Sequence, residues 1–175
     1  MPDSDAPRRL FLLRHATASW SKPGDPDHDR PLAPRGTRAL PSVAAAIDRH
    51  LEHGLDLVLA STAARTRATV DGVVPRLPTP REVRWLRPLY LATAERLLAE
   101  LRDVDDDAHT VLLCGHNPGI HELALRLLDD EPPPNLMAGL PPAGLVVIDI
   151  DERWSAVDAC AGALVAFVTP RQDAG

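Results

Sequence analysis

The sequence predicts an α/β fold, a three-layer α/β/α sandwich built around a mostly parallel central sheet. Three short apolar runs, at residues 8–13, 55–60 and 110–114, have the length of buried strands. Each run is followed by a segment whose apolar residues have helical spacing or that begins with a helix-start signal. This alternation of strands and helices is typical of a parallel sheet covered by helices on both faces. The 175 residues show no internal repeat, so we expect residues 1–175 to form a single domain.

Composition and charge exclude several classes of protein. The hydrophobic share of 45% and the charged share of 25% are those of a globular chain. A formal net charge of -6 argues against non-specific binding of nucleic acid or of an anionic membrane through the overall surface charge. Residues 1–9 lack the apolar core of a signal peptide, and no segment is long enough to span a membrane, so we expect a cytoplasmic protein. Residues 1–7 are polar and predicted to be a disordered tail.

The first half of the chain predicts two strand and helix pairs. A strand at 8–13 is followed by a long loop at 16–34, which we expect to border a substrate site because loops of this length are usually functional or disordered. Helical spacing then covers residues 35–51, where Pro41 is compatible with a helix only in the first turn. After the strand at 55–60, Ser61 or Thr62 is the predicted cap of a helix that ends near Val74.

The second half continues the alternation. A short strand is predicted at 83–86, and Thr93 is a good N-cap for a helix to about Arg102. After the strand at 110–114, Asn117 is the predicted N-cap and Pro118 the first residue of a helix to Leu128. A Pro-rich excursion and two or three strands complete the chain, at residues 129–142, 144–150 and 154–168.

The two cysteines, Cys114 and Cys160, are too few for a disulfide framework and do not form a C-x-x-C motif. Free cysteine is among the most buried residue types. Both are therefore predicted to be small core residues.

Polar side chains follow three of the predicted strands. Arg14 and His15 follow the first, Ser61 and Arg65 the second, and His116 and Asn117 the third. In a parallel sheet these strand ends share one edge, where ligands bind. Guanidinium groups and helix N-termini suit a tetrahedral oxyanion, so the combination predicts a phosphate pocket without a Gly-rich loop. Taken singly, an Arg-His pair is more often a surface feature, and Gly-His-Asn-Pro is more often a simple turn.

The motifs resemble those of a known family. Leu13-Arg14-His15-Ala16 resembles the signature of the histidine phosphatase superfamily, the phosphoglycerate mutase-like proteins, in which Gly usually follows the Arg-His pair. The stretches at 30–36 (RPLAPRG), Ser61-x-x-x-Arg65-x-x-x-Thr69 and 115–118 (GHNP) resemble further motifs of its small branch, the SixA-like phosphohistidine phosphatases. The resemblance runs from Arg9 to Arg171. Ala16, Thr62 and Thr66 depart from the usual residues of the pattern.

The resemblance implies a role for each matching residue. His15 would be the nucleophile, and Arg14, Arg65 and His116 would hold the phosphoryl oxygens, with Ser61 and Asn117 as further phosphate-binding candidates. A nucleophilic histidine must be neutral, which nearby arginines favour, and we expect a backbone carbonyl to accept the N–H of its second ring nitrogen. The arginines can stabilise the transferring phosphoryl group without help, so no metal and no cofactor are expected.

The general acid remains open at this point. Glu95, in the first turn of a predicted helix, is one candidate, although acidic residues there commonly serve the helix dipole. Asp29 is the other, although it could simply orient Arg30. A phosphoramidate has a readily protonated nitrogen leaving group, so a phosphohistidine substrate would need such an acid less. Arg67 lies about 200° around a helix from Arg65 and is predicted to face away.

The expected function is a metal-independent phosphatase with a phosphohistidine intermediate, acting on protein phosphohistidine. The alternatives are a small-molecule phosphomonoesterase of the same superfamily and a non-catalytic phospho-binding module. A nucleotide-binding domain would need a Gly-rich loop after the first strand. The partner is thus a phosphorylated protein or a small phosphorylated substrate, and the oligomeric state stays open. Of the remaining histidines, His121 is predicted to be structural, and four are predicted to be surface residues: His28, His50, His53 and His109.

Overall fold

The computed structural model describes residues 7–20 and 22–170. Most of the predicted tail and Arg171, the last residue of the motif resemblance, lie outside the described residues. The strands are β1 (Arg8–Arg14), β2 (Leu57–Ser61), β3 (Glu82–Leu86), β4 (Thr110–Gly115), β5 (Leu145–Ile150) and β6 (Gly162–Val168). The helices are α1 (Pro34–Asp48), α2 (Ala64–Val73), α3 (Ala94–Arg102), α4 (Gly119–Leu127) and α5 (Pro134–Ala138). Within the described residues, no helix is long and apolar enough to cross a membrane.

The six strands form one sheet in the order β3-β2-β4-β1-β5-β6. Strands β3, β2, β4 and β1 pair in parallel, β5 pairs antiparallel to β1, and β6 pairs antiparallel to β5. The predicted mostly parallel sheet is therefore confirmed. The register places Arg14 opposite Gly115 and Ala60 opposite Cys114, so the residues that follow these strands meet at one edge.

Helices cover both faces of the sheet, as predicted for the three-layer sandwich. Leu10 and Leu12 of β1 pack with α3 and α4, whereas Phe11 and Leu13 pack with α1 and α2. All four side chains are completely buried. A strand in this position has no polar face, which is why the first apolar run is continuous rather than alternating.

The prediction that Pro41 requires the first turn of a helix is wrong, because Pro41 lies in the interior of α1. A proline there lacks a donor and crowds the carbonyl four residues earlier, that of Thr37. Both residues are exposed, so solvent can take the place of the missing helical hydrogen bond. The helix also ends at Asp48, three residues earlier than the apolar spacing indicated.

Two of the three predicted helix starts are also corrected. Thr93 caps α3 as expected, since its side chain accepts a hydrogen bond from the N–H of Arg96. In contrast, α2 has Ala63 and α4 has Pro118 at the N-cap, with no side-chain cap in either. The side chains predicted to cap these helices make tertiary contacts instead: Ser61 with His116, Thr62 with His28, and Asn117 with the carbonyl of Leu140.

The last third of the chain contains two strands, and residues 154–156 form a 3-10 turn around the fully buried Trp154. Cys114 is buried in β4, as predicted, and burial raises the pKa of its thiol. The prediction for Cys160 is wrong: it is exposed, in the turn before β6, with a φ of 57°.

Candidate active site

A cavity of about 390 Å³ opens at the carboxyl edge of the sheet, where β1, β2 and β4 end. Its charged and titratable lining consists of Arg14, His15, Asp27, Arg30, Arg65 and His116. Thr17, Ala18, Asp27 and Arg30 come from the long loop between β1 and α1, so this loop borders the cavity as predicted. The four residues singled out first from the sequence, Arg14, His15, Arg65 and His116, meet here.

His15 follows β1 directly and is held at both ring nitrogens. Its Nδ1 lies 2.8 Å from the carbonyl oxygen of Ala16, and its Nε2 lies 3.3 Å from Nε of Arg65. Because a guanidinium can only donate, Nε2 must be unprotonated and Nδ1–H donates to Ala16. The expected backbone acceptor is therefore confirmed, and the lone pair of Nε2 lies at the cavity.

Burial is the main cause that lowers the pKa of His15 to about 4. The charges of Arg65, Arg14 and Arg30 lower it further, and the hydrogen bond to Ala16 opposes them. The sequence analysis named only the arginines, whereas desolvation contributes more. The imidazole is consequently neutral at pH 7, as a nucleophile requires.

Arg65 connects the two histidines to the loop. It lies in the first turn of α2 and is only 3% exposed. Besides its bond to His15, it donates from Nη2 to Nδ1 of His116 at 3.3 Å and to Oδ2 of Asp27 at 3.0 Å. Nη1 donates to the carbonyl oxygen of Asp27 at 2.7 Å. In this unliganded arrangement most of its donors are occupied by protein groups.

His116 follows β4, and its ring centroid lies 5.1 Å from that of His15. Since Nδ1 accepts from Arg65, the proton resides on Nε2, which donates to Oγ of Ser61 at 2.8 Å. Burial first, and then the neighbouring His15 and Arg65, lower the pKa of His116 to about 3. Both imidazoles are thus neutral, with tautomers fixed by the same arginine.

Ser61 was predicted to contact phosphate, and its position corrects that prediction. The side chain is completely buried behind His116 and is not part of the cavity lining. Ser61 is the last residue of β2, and its hydroxyl is directed to His116 rather than to a ligand. Ser61 orients the histidine.

Arg14 and Asn117 both line the cavity and share one acceptor. Each donates to the carbonyl oxygen of Leu140, at 2.9 Å in both cases. Nε of Arg14 and Oδ1 of Asn117 are buried without a partner among the described residues. Burial also lowers the pKa of Arg14. Both side chains are thus held at the cavity lining by the same carbonyl.

Neither carboxylate that the sequence offered as a general acid reaches the cavity. Glu95 is exposed and lies 3.3 Å from Arg126 of α4. Asp29 lies 3.2 Å from Nδ1 of His28, and Arg30 is bound by Asp27 instead. Both candidates are corrected: Glu95 follows the N-cap of α3 on its solvent side, and Asp29 lies in the 3-10 turn Asp27–Asp29 with its side chain directed to His28.

Asp27 is the acidic residue of the site, and the sequence analysis did not single it out. Its carboxylate accepts hydrogen bonds from Tyr90 Oη at 2.6 Å, from Arg30 at 3.0 Å and from Arg65 at 3.0 Å. These bonds, that from Tyr90 foremost, hold its pKa well below the usual range of an aspartate. Asp25, Asp27 and Asp29 all stand within five residues before Arg30, and only the turn geometry decides which of them meets Arg65.

Tyr90 was missed as well. Its ring packs edge-on against His116 with 5.4 Å between centroids, and against His28 with 4.9 Å. Burial and the bond to Asp27 raise the pKa of its hydroxyl, so Tyr90 is a donor at neutral pH. As the only tyrosine of the chain, close to Leu89 and Leu91, it carried no periodic signal that could have indicated a site.

The remaining predicted residues lie outside the cavity lining. Arg67 is not part of the cavity lining, in keeping with its predicted angular position, and stacks over Trp85. Nε2 of His121 is 2.7 Å from the carbonyl oxygen of Leu136, in keeping with a structural role. His53 is exposed, as predicted, whereas His28, His50 and His109 are half-buried, and His28 is bonded to Thr62. The prediction of a surface residue is therefore confirmed only for His53. In residues 7–20 and 22–170, no group of three histidine, cysteine or acidic side chains offers a metal site.

Comparison with known proteins finds relatives that match almost the whole chain. No family model matches the chain. Two uncharacterised mycobacterial proteins, ML1117 of Mycobacterium leprae and Rv1276c of Mycobacterium tuberculosis, are each 32% identical to it over 167 and 164 residues. Both matches cover 91% of this chain and 100% of the relative.

Solved structures extend the comparison. A candidate phosphohistidine phosphatase SixA from Nakamurella multipartitia is 30% identical, with a TM-score of 0.83 over 97% of this chain and 99% of the other. The corresponding protein of Agrobacterium tumefaciens is also 30% identical, with a TM-score of 0.75 over 94% and 99%. A mycobacterial glucosyl-3-phosphoglycerate phosphatase, 18% identical with a TM-score of 0.62 over 91% and 97%, shares the fold.

The mixed sheet, with an Arg-His pair at the end of a central strand and a second histidine at the next strand end, defines a histidine phosphatase fold. The chain belongs to the histidine phosphatase superfamily, alongside its SixA-like members.

Proposed function

We propose that this protein is a metal-independent phosphatase that works through a phosphohistidine intermediate on His15, with protein phosphohistidine as its substrate class. One observation carries the proposal. Nε2 of His15 is unprotonated at the cavity while Nδ1–H is anchored to the carbonyl of Ala16. A neutral, oriented imidazole beside three guanidinium groups is what in-line attack on phosphorus needs.

The reaction then has two steps. In the first, the lone pair of His15 Nε2 forms a bond to phosphorus, and the bond from phosphorus to the leaving nitrogen of the substrate breaks. In the second, water forms a bond to phosphorus and loses one proton to solvent, the bond from phosphorus to Nε2 breaks with its electron pair returning to Nε2, and inorganic phosphate departs. Arg14, Arg30 and Arg65 stabilise charge on the equatorial oxygens. The Nε–H of Arg65 leaves His15 for a phosphoryl oxygen when the substrate binds.

The protonation state of Asp27 supports the substrate class. Its pKa is held low by Tyr90, Arg30 and Arg65, so it is a poor proton donor at neutral pH. An alkoxide leaving group needs such a donor, whereas the imidazole released from phosphohistidine is readily protonated by water. The SixA-type names of the neighbours from Nakamurella multipartitia and Agrobacterium tumefaciens support the same substrate class.

The test uses two substrates in the presence of a chelator: a histidine-phosphorylated protein and an aryl phosphate. We expect phosphate release from the phosphohistidine protein and an acid-labile phosphate on His15 in a rapid quench. His15→Asn should abolish both, while the matched control His53→Asn, at an exposed histidine, should leave both unchanged.

Two outcomes would contradict the proposal. No release and no labelled histidine from either substrate would remove the enzymatic function and leave a phospho-binding module. Turnover of the aryl phosphate alone would point to a small-molecule phosphomonoesterase instead.

A further inference from the structure

Two exposed arginines beside the cavity are each stacked on an aromatic ring. Cζ of Arg67 lies 4.5 Å from the ring centroid of Trp85, and Cζ of Arg87 lies 5.3 Å from that of Tyr90. Among the residues that the structure describes, neither arginine forms an ion pair. Stacking orients a guanidinium and leaves its N–H edge available to an acceptor.

Several other surface arginines are neutralised by carboxylates. Arg84 pairs with Glu82, Arg102 with Asp158, and Arg126 with Glu95 and Asp158. Within the described residues, Arg67 and Arg87 thus keep a positive charge that no carboxylate neutralises, on a chain whose net charge is -6.

The placement of Arg67 is also unfavourable for the helix that carries it. It lies in the first turn of α2, together with Arg65, and this turn contains no acidic residue. A cation near a helix N-terminus opposes the helix dipole, and a carboxylate would normally be preferred there. Stacking on Trp85 and a hydrogen bond from its Nε to the carbonyl oxygen of Thr62 at 3.3 Å hold Arg67 there, and its two terminal nitrogens form no hydrogen bond within the described residues.

The surface is continuous with the active site. Tyr90, on which Arg87 stacks, donates to Asp27 in the cavity and packs against His116. Arg67 is connected to the same cluster, since its Nε donates to the carbonyl oxygen of Thr62, whose hydroxyl lies 3.0 Å from Nε2 of His28, and His28 packs against Tyr90. A phosphorylated side chain in the cavity would thus place the chain that bears it near both arginines.

We propose that Arg67 and Arg87, supported by Trp85 and Tyr90, form a docking surface for acidic residues that flank the phosphorylated residue of a protein substrate. The inference rests on the proposed phosphatase function, and it adds that the protein substrate is acidic beside its phosphorylated residue. Complementary charge outside the reaction centre raises the association rate and selects among substrates without altering the chemistry.

The test measures binding and needs no turnover. Two fluorescent peptides carry the same non-hydrolysable phosphonate analogue of phosphohistidine, one flanked by glutamates and the other by glutamines. We expect the acidic peptide to bind about tenfold more tightly at about 0.05 M salt, and the difference to shrink at about 0.5 M, where surface charges are screened. The double variant Arg67→Glu, Arg87→Glu should lose this preference and bind the glutamine peptide as before.

Arg76→Glu is the matched control, since Arg76 is an exposed arginine beyond the other end of α2, and it should keep the preference. Arg67→Gln with Arg87→Gln, which introduces no repulsion, should reduce the preference to about threefold or less. All variants should hydrolyse an aryl phosphate at the wild-type rate, which also verifies their folding.

Equal binding of the two peptides to the wild type, or an undiminished preference in the double variant, would overturn the docking surface. An oligonucleotide that binds as tightly as the acidic peptide would overturn the assignment of a protein partner. A protein that hydrolyses neither test substrate overturns the proposed function alone, because the peptide affinities still decide the docking surface.

Discussion

Nε of Arg65 donates a hydrogen bond to Nε2 of His15 at 3.3 Å. This bond determines which nitrogen of His15 carries the proton, and a second bond from Arg65 does the same for His116. One buried guanidinium therefore sets the protonation pattern of both imidazoles before a ligand arrives. The same guanidinium is proposed to hold the phosphoryl group afterwards.

Arg65→Lys should lower kcat/KM for an aryl phosphate by about 10² to 10³, the range measured when one preorganised donor of an anion-stabilising site is lost. A lysine is also cationic, but it cannot reach His15, His116 and Asp27 with one planar fork. Steady-state kinetics measure the effect, and Arg67→Lys, outside the cavity, serves as control. A loss smaller than tenfold in Arg65→Lys would show that the fork is not needed.

The free energy of unfolding should rise with pH between about 4 and 6.5. Burial lowers the pKa of His15 from 6.5 to about 4 in the folded state, so the unfolded chain binds more protons in this window. The stability that neutral His15 contributes is fully present above the pKa of the unfolded chain and is lost as the pH falls towards the pKa of the folded state. For a shift of this size the loss is on the order of 3 kcal/mol.

Urea denaturation at several pH values measures this dependence. His15→Asn should reduce the slope without abolishing it, because His116, whose pKa burial lowers to about 3, still titrates in this window, while the exposed His53→Asn should leave the slope unchanged. An identical slope in His15→Asn and wild type would mean that His15 is not held neutral by the fold.

Asp27→Asn should strengthen the inhibition by inorganic phosphate, by about tenfold. The Asp27 carboxylate occupies donors of Arg65 that an anion would use, and removing its charge lessens the repulsion of a bound phosphate. Competitive inhibition constants measure the change, with Asp29→Asn as the neighbouring control. Weaker inhibition in Asp27→Asn would instead make Asp27 a residue that positions Arg65.

Ser61→Ala should destabilise the protein by about 1 to 3 kcal/mol, because the buried Nε2–H of His116 loses its acceptor at 2.8 Å. Turnover should fall as well, since the ring is no longer held in one orientation. Chemical denaturation and kcat are the two readouts, and Ser42→Ala, at an exposed position of α1, is the control. Unchanged stability would indicate that Thr66 Oγ1, 3.4 Å away, replaces the lost acceptor.

Glu95→Gln should change turnover of either substrate by less than about twofold. Its carboxylate makes an exposed ion pair with Arg126, and such pairs contribute about 0 to 1 kcal/mol. Parallel assays with the phosphohistidine protein and the aryl phosphate measure this. A collapse of aryl phosphate hydrolysis alone would restore Glu95 as a general acid.

Much of the fold was predictable because it depends on local chemical patterns. The apolar run of β1 is buried on both faces, and that burial requires the continuous stretch Leu10 to Leu13. Parallel pairing with β4 then brings His15 and His116 together at one edge. The predictions failed where one side chain had two possible partners: Ser61 and Asn117 were expected at helix starts, but His116 and Leu140 engage them.

The sequence by itself determined the mostly parallel α/β sandwich and the meeting of Arg14, His15, Arg65 and His116, because hydrophobic periodicity and strand order specify both. Only the tertiary structure decided that Asp27 and Tyr90 join them, while Glu95 and Asp29 do not. Loop residues carry no periodic pattern, and their side-chain directions depend on contacts between segments far apart in the chain. Asp27 and Tyr90 are 63 positions apart, and their hydrogen bond exists only once the sheet has formed.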